Sequence, residues 1–178
     1  MIYVLLADGF EEIEAVAVID ILRRADLEVL TVGIGGKQIC GSHGIVITAD
    51  IDEKDMDAKH CEAVILPGGV PGTPNLESSE AVQALIDEAV KCGAWICAIC
   101  AAPSILGKKG LLKGKGAACY PGWEKYLDGA VIEKGVAVDK PFITASGAGV
   151  AVGFALEIAA RLKSPEEAER IRSAMQCG

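Results

Sequence analysis

Cys100 is the residue of this sequence best placed to act as a nucleophile. It lies in AICAAPSIL, residues 98–106, where an apolar stretch passes directly into a segment of small residues. A residue on such a sharp strand-to-helix turn needs small neighbours two positions before and after it, and here these are Ala98 and Ala102. Free N–H groups at a helix start favour a thiolate and lower a thiol pKa from about 8.5. We therefore expect Cys100 to be an activated thiolate.

Two other interpretations of Cys100 remain open on this local pattern. Cysteine is often a small, inert core residue, so Cys100 could simply be buried. Cys97 and Cys100 also form a C-x-x-C spacing, which in thioredoxin-like proteins is a redox pair at a helix start. Because Cys97 falls inside the apolar stretch, that spacing is interpreted as a coincidence.

Two further turns follow predicted strands and point toward Cys100, because open α/β sheets assemble their sites at the carboxyl ends of strands. The first is LPGGVPG, residues 66–72, whose glycines allow backbone N–H groups to turn inward. With the Ala101 N–H they could form an oxyanion hole, or the segment could be only a flexible loop. The second is FEEIE, residues 10–14, whose glutamates could equally well complement a helix dipole.

Short β-branched stretches alternate with longer helical patterns, which is typical of βαβ units in an α/β protein. Strands are predicted at residues 2–7, 28–33, 45–49, 63–66, 95–98, 116–119 and 142–144, with short β segments near residues 131–138. Helices are predicted at residues 11–25, 79–92, 101–106 and 149–162, and from residue 165 onward. A chain of 178 residues without a linker is expected to form a single domain spanning residues 1–178.

Composition excludes several classes of partner. The net charge of -8 argues against nucleic acid and anionic membranes, which both require a basic surface. No apolar stretch approaches the length of a membrane span, and the N-terminus lacks the charged region of a signal peptide. Seven scattered cysteines favour a reducing, cytoplasmic location, and only two histidines make a metal site unexpected.

The motifs FEEIEA, LPGG and AICAAPSIL, in this order and spacing, resemble the ThiJ/PfpI superfamily and its Parkinsonism-associated protein deglycase branch. The resemblance covers essentially the whole chain. It implies a flavodoxin-like three-layer sandwich, with a mostly parallel sheet and helices on both faces, assembled as a homodimer. It also implies that Cys100 is the nucleophile or an oxidation-sensitive thiol, Glu14 its acidic partner, and Gly69 and Ala101 the backbone oxyanion donors.

The implied pair of Glu14 and Cys100 has an electrostatic consequence. An ionised carboxylate beside a thiolate would raise the thiol pKa by like-charge repulsion, whereas a protonated carboxyl can donate a hydrogen bond. We therefore expect a coupled pair in which the pKa of Glu14 is raised and that of Cys100 is lowered.

The sequence departs from the superfamily pattern at one position. Where the best-known members have a histidine followed by proline, this chain has Tyr120 and Pro121. A Cys-His dyad is therefore missing, which weakens a hydrolytic interpretation. His43, in GSHG at residues 41–44, matches a region that approaches the active site in the family, although a solvated surface histidine is the alternative.

The resemblance implies a cofactor-independent enzyme acting on small reactive carbonyls. Cys100 would add to an α-oxoaldehyde such as methylglyoxal to form a hemithioacetal, Glu14 would move the proton, and water would release a hydroxy acid. Early glycation adducts would be removed by the same steps. The alternatives are a non-catalytic redox sensor or stress chaperone built on oxidation of Cys100, with Cys119 as a resolving thiol, and a cysteine amidase or protease.

Overall fold

The computed structural model describes residues 1–177 and consists of eleven strands and six α-helices in that range. The strands are β1 (Ile2–Leu6), β2 (Val29–Gly33), β3 (Gln38–Cys40), β4 (Val46–Thr48), β5 (Ile51–Asp52), β6 (Ala63–Leu66), β7 (Trp95–Ile99), β8 (Gly116–Ala117), β9 (Val131–Ile132), β10 (Val136–Asp139) and β11 (Phe142–Ala145). The helices are α1 (Glu12–Arg24), α2 (Gly72–Ser78), α3 (Glu80–Cys92), α4 (Pro103–Lys108), α5 (Ala151–Leu162) and α6 (Pro165–Ala174).

Seven of these strands form one mixed sheet in the order β10-β11-β7-β6-β1-β2-β5. All neighbours pair in parallel except β10, which runs antiparallel to β11. The inner strands β1, β6 and β11 are buried along their whole length, because helices cover both faces of a parallel sheet. The expected mostly parallel α/β sheet is therefore confirmed.

Two hydrophobic clusters flank this sheet. One packs α1, α5 and α6 on one face, and the other packs α2, α3 and α4 on the opposite face. The helix limits follow from local chemistry, as α3 shows. Its first turn is capped by the Ser79 hydroxyl, which accepts from the N–H of Val82, and it ends at Gly93 with a φ of 71°, as an αL cap requires.

Two predicted strands need correction. The strand expected at residues 45–49 is β4, which lies outside the main sheet in an antiparallel hairpin with β3, a strand the sequence analysis missed. Both ends of β4 are exposed, unlike the buried inner strands of the main sheet. The strand expected at 116–119 is only β8, which pairs with β9 in a separate small sheet. The short β segments expected near residues 131–138 are β9 and β10, which a turn separates.

Two predicted helical features also change. The glycine-rich segment after β6, expected to be an oxyanion turn or a flexible loop, leads directly into α2, a helix that the sequence analysis does not predict and that begins at Gly72. The N–H of Thr73 donates to the Gly69 carbonyl at 2.9 Å, so the turn is the lead-in to a helix. The helix α4 begins at Pro103 rather than at residue 101, because residues 100–102 form the turn itself.

The fold places three turns at one edge of the sheet. The chain leaves β1 toward β2 on one side and returns at β6 on the other, so β1 and β6 flank a crevice at their carboxyl ends. Ligands of open α/β sheets bind in such crevices. The turns after β1, β6 and β7 meet there, and they contain the acidic motif, the glycine-rich motif and Cys100.

Candidate active site

Cys100 occupies a strained turn directly after β7. Its φ is 64°, in the left-handed region that residues with a side chain rarely adopt. Hydrogen bonds hold it there, since its N–H donates to the Ala145 carbonyl and its carbonyl accepts from the N–H of Tyr120, both at 2.8 Å. The small neighbours Ala98 and Ala102 are fully buried. The sharp turn expected at Cys100 is therefore confirmed.

Glu14 lies beneath the turn as a buried carboxyl group. Only 1% of the residue is exposed. Its Oε2 accepts a hydrogen bond from the N–H of Gly68 at 2.8 Å, while its Oε1 has no hydrogen-bond partner among residues 1–177. A Cβ at Gly68 would lie 2.6 Å from the Cβ of Cys100 and 2.7 Å from Glu14 Oε2. Only glycine lets the backbone pass between these two side chains.

This environment raises the pKa of Glu14. Burial is the largest cause and brings the pKa to about 7, although the Gly68 N–H and the Cys100 thiol act in the opposite direction. The expected rise of the Glu14 pKa is confirmed. A carboxyl group with this pKa exchanges its proton readily at neutral pH, which suits a general base.

The expected lowering of the Cys100 pKa is wrong. Burial raises the pKa of the Cys100 thiol to about 12, and the charge of Glu14 adds to the rise. Hydrogen bonds from the backbone N–H groups of Ala101 and Gly69 lower the pKa, but they do not compensate. Near neutral pH the pair carries at most one negative charge, and that charge lies on Glu14, so Cys100 is a thiol with a base beside it.

The N–H groups of Gly69 and Ala101 converge on the sulfur of Cys100. Gly69 has a φ of 95°, and a Cβ there would lie 2.4 Å from the Gly9 carbonyl oxygen. The loop is fixed by a hydrogen bond from the N–H of Glu11 to the Gly68 carbonyl at 3.0 Å. Two fixed N–H donors therefore face the sulfur of Cys100, which is the kind of arrangement that an oxyanion hole requires.

A pocket of about 280 Å³ opens over Cys100. Five of the six candidate site residues from the sequence line this pocket, and the sixth, Glu14, lies below its floor. The five are His43, Gly69, Cys100, Ala101 and Tyr120. Its lining residues are Glu11, Ser42, His43, Gly69, Val70, Cys100, Ala101, Tyr120 and Trp123. Two larger cavities, of about 530 and 430 Å³, lie beside α3, and no cysteine lines either of them.

Tyr120 and Cys119 follow the short strand β8. The Tyr120 residue is 51% exposed at the pocket rim, and its ring would lie 3.4 Å from a Cβ at Gly147. Cys119 is buried, burial raises its pKa to about 11, and it does not line the pocket. These properties favour a packing role for Cys119. Cys97 is also fully buried, and burial raises its pKa. This agrees with the interpretation of the C-x-x-C spacing as a coincidence.

Glu12 is the residue of this region that the sequence analysis missed. Its buried carboxylate accepts from the backbone N–H of His43 at 2.6 Å and lies 2.7 Å from the ring Nδ1 of the same residue. The Ser42 hydroxyl adds a third bond at 3.2 Å. Burial alone would raise its pKa, but the bonds from His43 hold it at about 2. The signal in the sequence for a residue packed against this loop is Gly41. A Cβ at that position would lie 2.4 Å from Glu12 Oε1.

A protein-family model described as the DJ-1/PfpI family matches residues 1–161 of this chain. The chain belongs to the DJ-1/PfpI family. Protein dj-1beta of Drosophila melanogaster is 35% identical over 172 residues, which cover 94% of this chain and 92% of that protein. Its crystal structure superposes with a TM-score of 0.94 at 32% identity, covering 99% of this chain and 97% of that one. The expected flavodoxin-like fold of the family is thereby confirmed.

Two further relatives bear on function. A Caenorhabditis elegans protein named glutathione-independent glyoxalase DJR-1.2 is 33% identical over 159 residues, covering 88% of this chain and 85% of that protein. A structure described as oxidized DJ-1 of Toxoplasma gondii has a TM-score of 0.93 at 32% identity, covering 98% of this chain and 97% of that one.

Proposed function

We propose that this DJ-1/PfpI family member is a cysteine-dependent, cofactor-independent glyoxalase that converts α-oxoaldehydes such as methylglyoxal into hydroxy acids. One observation carries the proposal. A thiol on a strained turn lies between two fixed backbone N–H donors and a buried carboxyl group whose pKa is about 7. The similarity to a protein named as a glutathione-independent glyoxalase supports it.

The first step is addition of Cys100 to the aldehyde carbon. Glu14 accepts the thiol proton as the C–S bond forms, so no preformed thiolate is needed. The electron pair of the C=O bond moves to the aldehyde oxygen, where the N–H groups of Gly69 and Ala101 stabilise the negative charge. Glu14 then returns the proton to this oxygen and leaves a neutral hemithioacetal.

The second step is an internal redox reaction that needs no external oxidant. Glu14 removes the hydrogen of the former aldehyde carbon as a proton and delivers it to the neighbouring ketone carbon, while the hydroxyl on the first carbon loses its proton and the ketone oxygen gains one. The first carbon is oxidised to a thioester, and the second is reduced to an alcohol. Water then adds to the thioester, the C–S bond breaks, and the products are a hydroxy acid and the free thiol.

The pocket limits the class of substrate. A volume of about 280 Å³ accommodates a three-carbon aldehyde and also a small glycated side chain, so early glycation adducts are a second substrate class for the same steps. Peptide or amide hydrolysis is less well supported, because Tyr120 stands where a histidine would complete a Cys-His dyad.

Oxidation sensing by Cys100 is the second candidate function. The same two N–H donors would stabilise a sulfinate on Cys100 after reaction with peroxide, and the similar structure from Toxoplasma gondii is described as oxidized. The raised thiol pKa opposes this function, because peroxide reacts with the thiolate. Sulfinate on Cys100 after mild peroxide, together with no turnover of methylglyoxal, would favour sensing.

A homodimer is the assembly that the surface supports. The apolar face formed by Ile13 and Val16 of α1 and by Ile45 and Val46 of the β3–β4 hairpin is 46–60% exposed. Contiguous apolar patches of this kind usually mark contact sites. We propose that a second copy of the chain covers this face. No helix among residues 1–177 is long and apolar enough to cross a bilayer, and seven unpaired cysteines support a cytoplasmic location.

Lactate formation from methylglyoxal tests the proposed function. We expect the wild type to form lactate, Cys100→Ser to form none above the uncatalysed rate, and Glu14→Gln to be strongly impaired, since it cannot accept a proton. Cys97→Ser is a matched control because it changes a buried cysteine three residues away. Lactate formation that survives Cys100→Ser, or its absence in the wild type, would exclude the proposed mechanism.

A further inference from the structure

A hydrogen-bonded pair of Glu12 and His43 lies at the edge of the Cys100 pocket. The two are joined by two contacts, from the backbone N–H and from Nδ1 of His43 to the two carboxylate oxygens. Glu12 is buried and ionised, whereas the His43 side chain is 72% exposed. Nδ1 therefore carries a proton toward the carboxylate, and the other ring nitrogen, Nε2, has no hydrogen-bond partner among residues 1–177.

The loop that contains His43 is fixed to the turn after β1. The N–H of Ser42 donates to the Phe10 carbonyl at 2.8 Å, and the N–H of Gly9 donates to the Cys40 carbonyl at 2.8 Å. The side chain of Asp8 adds a third bond, to the N–H of Cys40, at 2.8 Å. The backbone at His43 is therefore held in place, and His43 lines the same pocket as Ala101 and Cys100.

The proposed reaction leaves one proton transfer without a donor. While Glu14 removes the hydrogen from the first carbon, negative charge develops on the oxygen of the second carbon. The two backbone N–H donors are already used at the first oxygen. Among the residues that line the pocket, His43 has the side chain whose ordinary pKa lets it both donate and accept a proton near neutral pH.

We propose that His43, oriented by Glu12, is this second acid–base residue of the site. The inference rests on the proposed function. The imidazolium donates a proton from Nε2 to the ketone oxygen as Glu14 removes the hydrogen from the first carbon, which gives an enediol. When Glu14 protonates the second carbon, the neutral imidazole takes the proton from the first hydroxyl, and the thioester carbonyl forms. Both residues thus regain their starting protonation states.

The charges around His43 suit this role. The ionisable groups that face it are Glu11 and Glu12 from the start of α1 and, across the pocket, Cys100 and Tyr120. The hydrogen bond and charge of Glu12 raise the pKa of His43 above its usual value. Activity then requires an ionised Glu14 and a protonated His43, so its pH profile should be bell-shaped.

The test compares pH profiles of lactate formation by the wild type, His43→Gln, Glu12→Gln and His60→Gln. His60 is the matched control, because its Nδ1 also lies 2.7 Å from a carboxylate, that of Asp57, and its side chain is similarly exposed at 79%. It precedes β6, at the opposite end of the sheet from Cys100.

We expect His43→Gln to lower kcat by about 10²-fold or more and to lose the decline at high pH, with little change in KM. Added imidazole should restore part of the rate. Glu12→Gln should move that decline to lower pH, and His60→Gln should match the wild type. The rate of Cys100 alkylation reports whether each variant keeps the pocket intact.

Three outcomes would overturn the inference. If the wild type forms lactate and His43→Gln keeps its kcat and its decline at high pH, the role of His43 is excluded and the proposed function stands. An equal loss in His60→Gln would show a general effect on the fold instead. No lactate from the wild type would remove the proposed function and this inference together.

Discussion

At the residue scale, Cys100, Gly69, Ala101 and His43 meet in one pocket above Glu14. The sequence brought these residues together but predicted the wrong distribution of charge between Cys100 and Glu14. The thiol pKa rises rather than falls because burial and the adjacent carboxylate outweigh two N–H donors. The depth at which Cys100 is buried depends on how three turns pack together. No local sequence pattern predicts that packing.

The alkylation rate of Cys100 should follow the ionisation of the pair. Because Glu14 loses its proton with a pKa of about 7 and then assists the thiol, the rate in the wild type should rise with a midpoint near 7. In Glu14→Gln the thiol must ionise unaided while still buried, so we expect a midpoint above about 8.5. Rates of iodoacetamide labelling across pH measure both values, and an identical midpoint in the two proteins would disprove the coupling.

Glu14 should also reduce stability at high pH. Burial raises its pKa in the folded protein from the ordinary value of 4.5 to about 7. The stabilising contribution of the neutral carboxyl is therefore complete below pH about 4.5 and lost as the pH rises through about 7. Glu14→Gln should increase the free energy of unfolding at pH 8 by up to about 3 kcal/mol, with little gain at pH 4.5. Urea denaturation at both pH values tests this, and a gain that does not depend on pH would contradict it.

At the element scale, regular elements were predicted well and the connections between them were not. The caps of α3 and the strands of the parallel sheet follow from residue type and period. The helix α2 was missed because its first residues, Gly72 to Pro74, have low helix propensity, and tertiary hydrogen bonds stabilise it instead. The strand β3, and with it the β3–β4 hairpin, was missed because β3 is only three residues long.

Gly68 is the position where the turns after β6 and β7 approach most closely. We expect Gly68→Ala to displace Glu14 or Cys100, since the new Cβ would lie under 3 Å from both side chains, and to reduce Cys100 alkylation at pH 7 at least tenfold. Gly153→Ala is the control, because a Cβ there meets nothing within 4 Å inside α5, and it should raise stability by about 0.5–1 kcal/mol. Unaltered alkylation in Gly68→Ala would show that this close approach does not matter.

At the scale of the whole molecule, we propose that residues 1–178 form a single domain, because both hydrophobic clusters pack on one sheet. Residue 178 lies outside the described residues. The parallel sheet and its layers were predictable from the βαβ pattern. The sheet order was not, because it depends on which strands pair, and only the structure shows that β1 and β6 flank the site crevice.

The proposed homodimer can be tested on the face defined by Ile13, Val16, Ile45 and Val46. Ile13→Glu should convert a dimer into a monomer in sedimentation velocity, because it would bury a charge in an apolar contact. Val131→Glu is the control, because Val131 is 61% exposed and Ile13 is 60% exposed. Val131 lies in the small β8–β9 sheet and not on the proposed contact face. A wild-type monomer, or equal effects of the two changes, would exclude this face as the dimer contact.

Acid quenching during turnover of methylglyoxal, followed by mass spectrometry of the peptide that contains Cys100, tests the central claim most directly. Covalent chemistry at this thiol predicts a lactoyl thioester on Cys100 while lactate accumulates, with neither product in Cys100→Ser. Lactate formed at the wild-type rate with Cys100 unmodified or replaced would contradict the account.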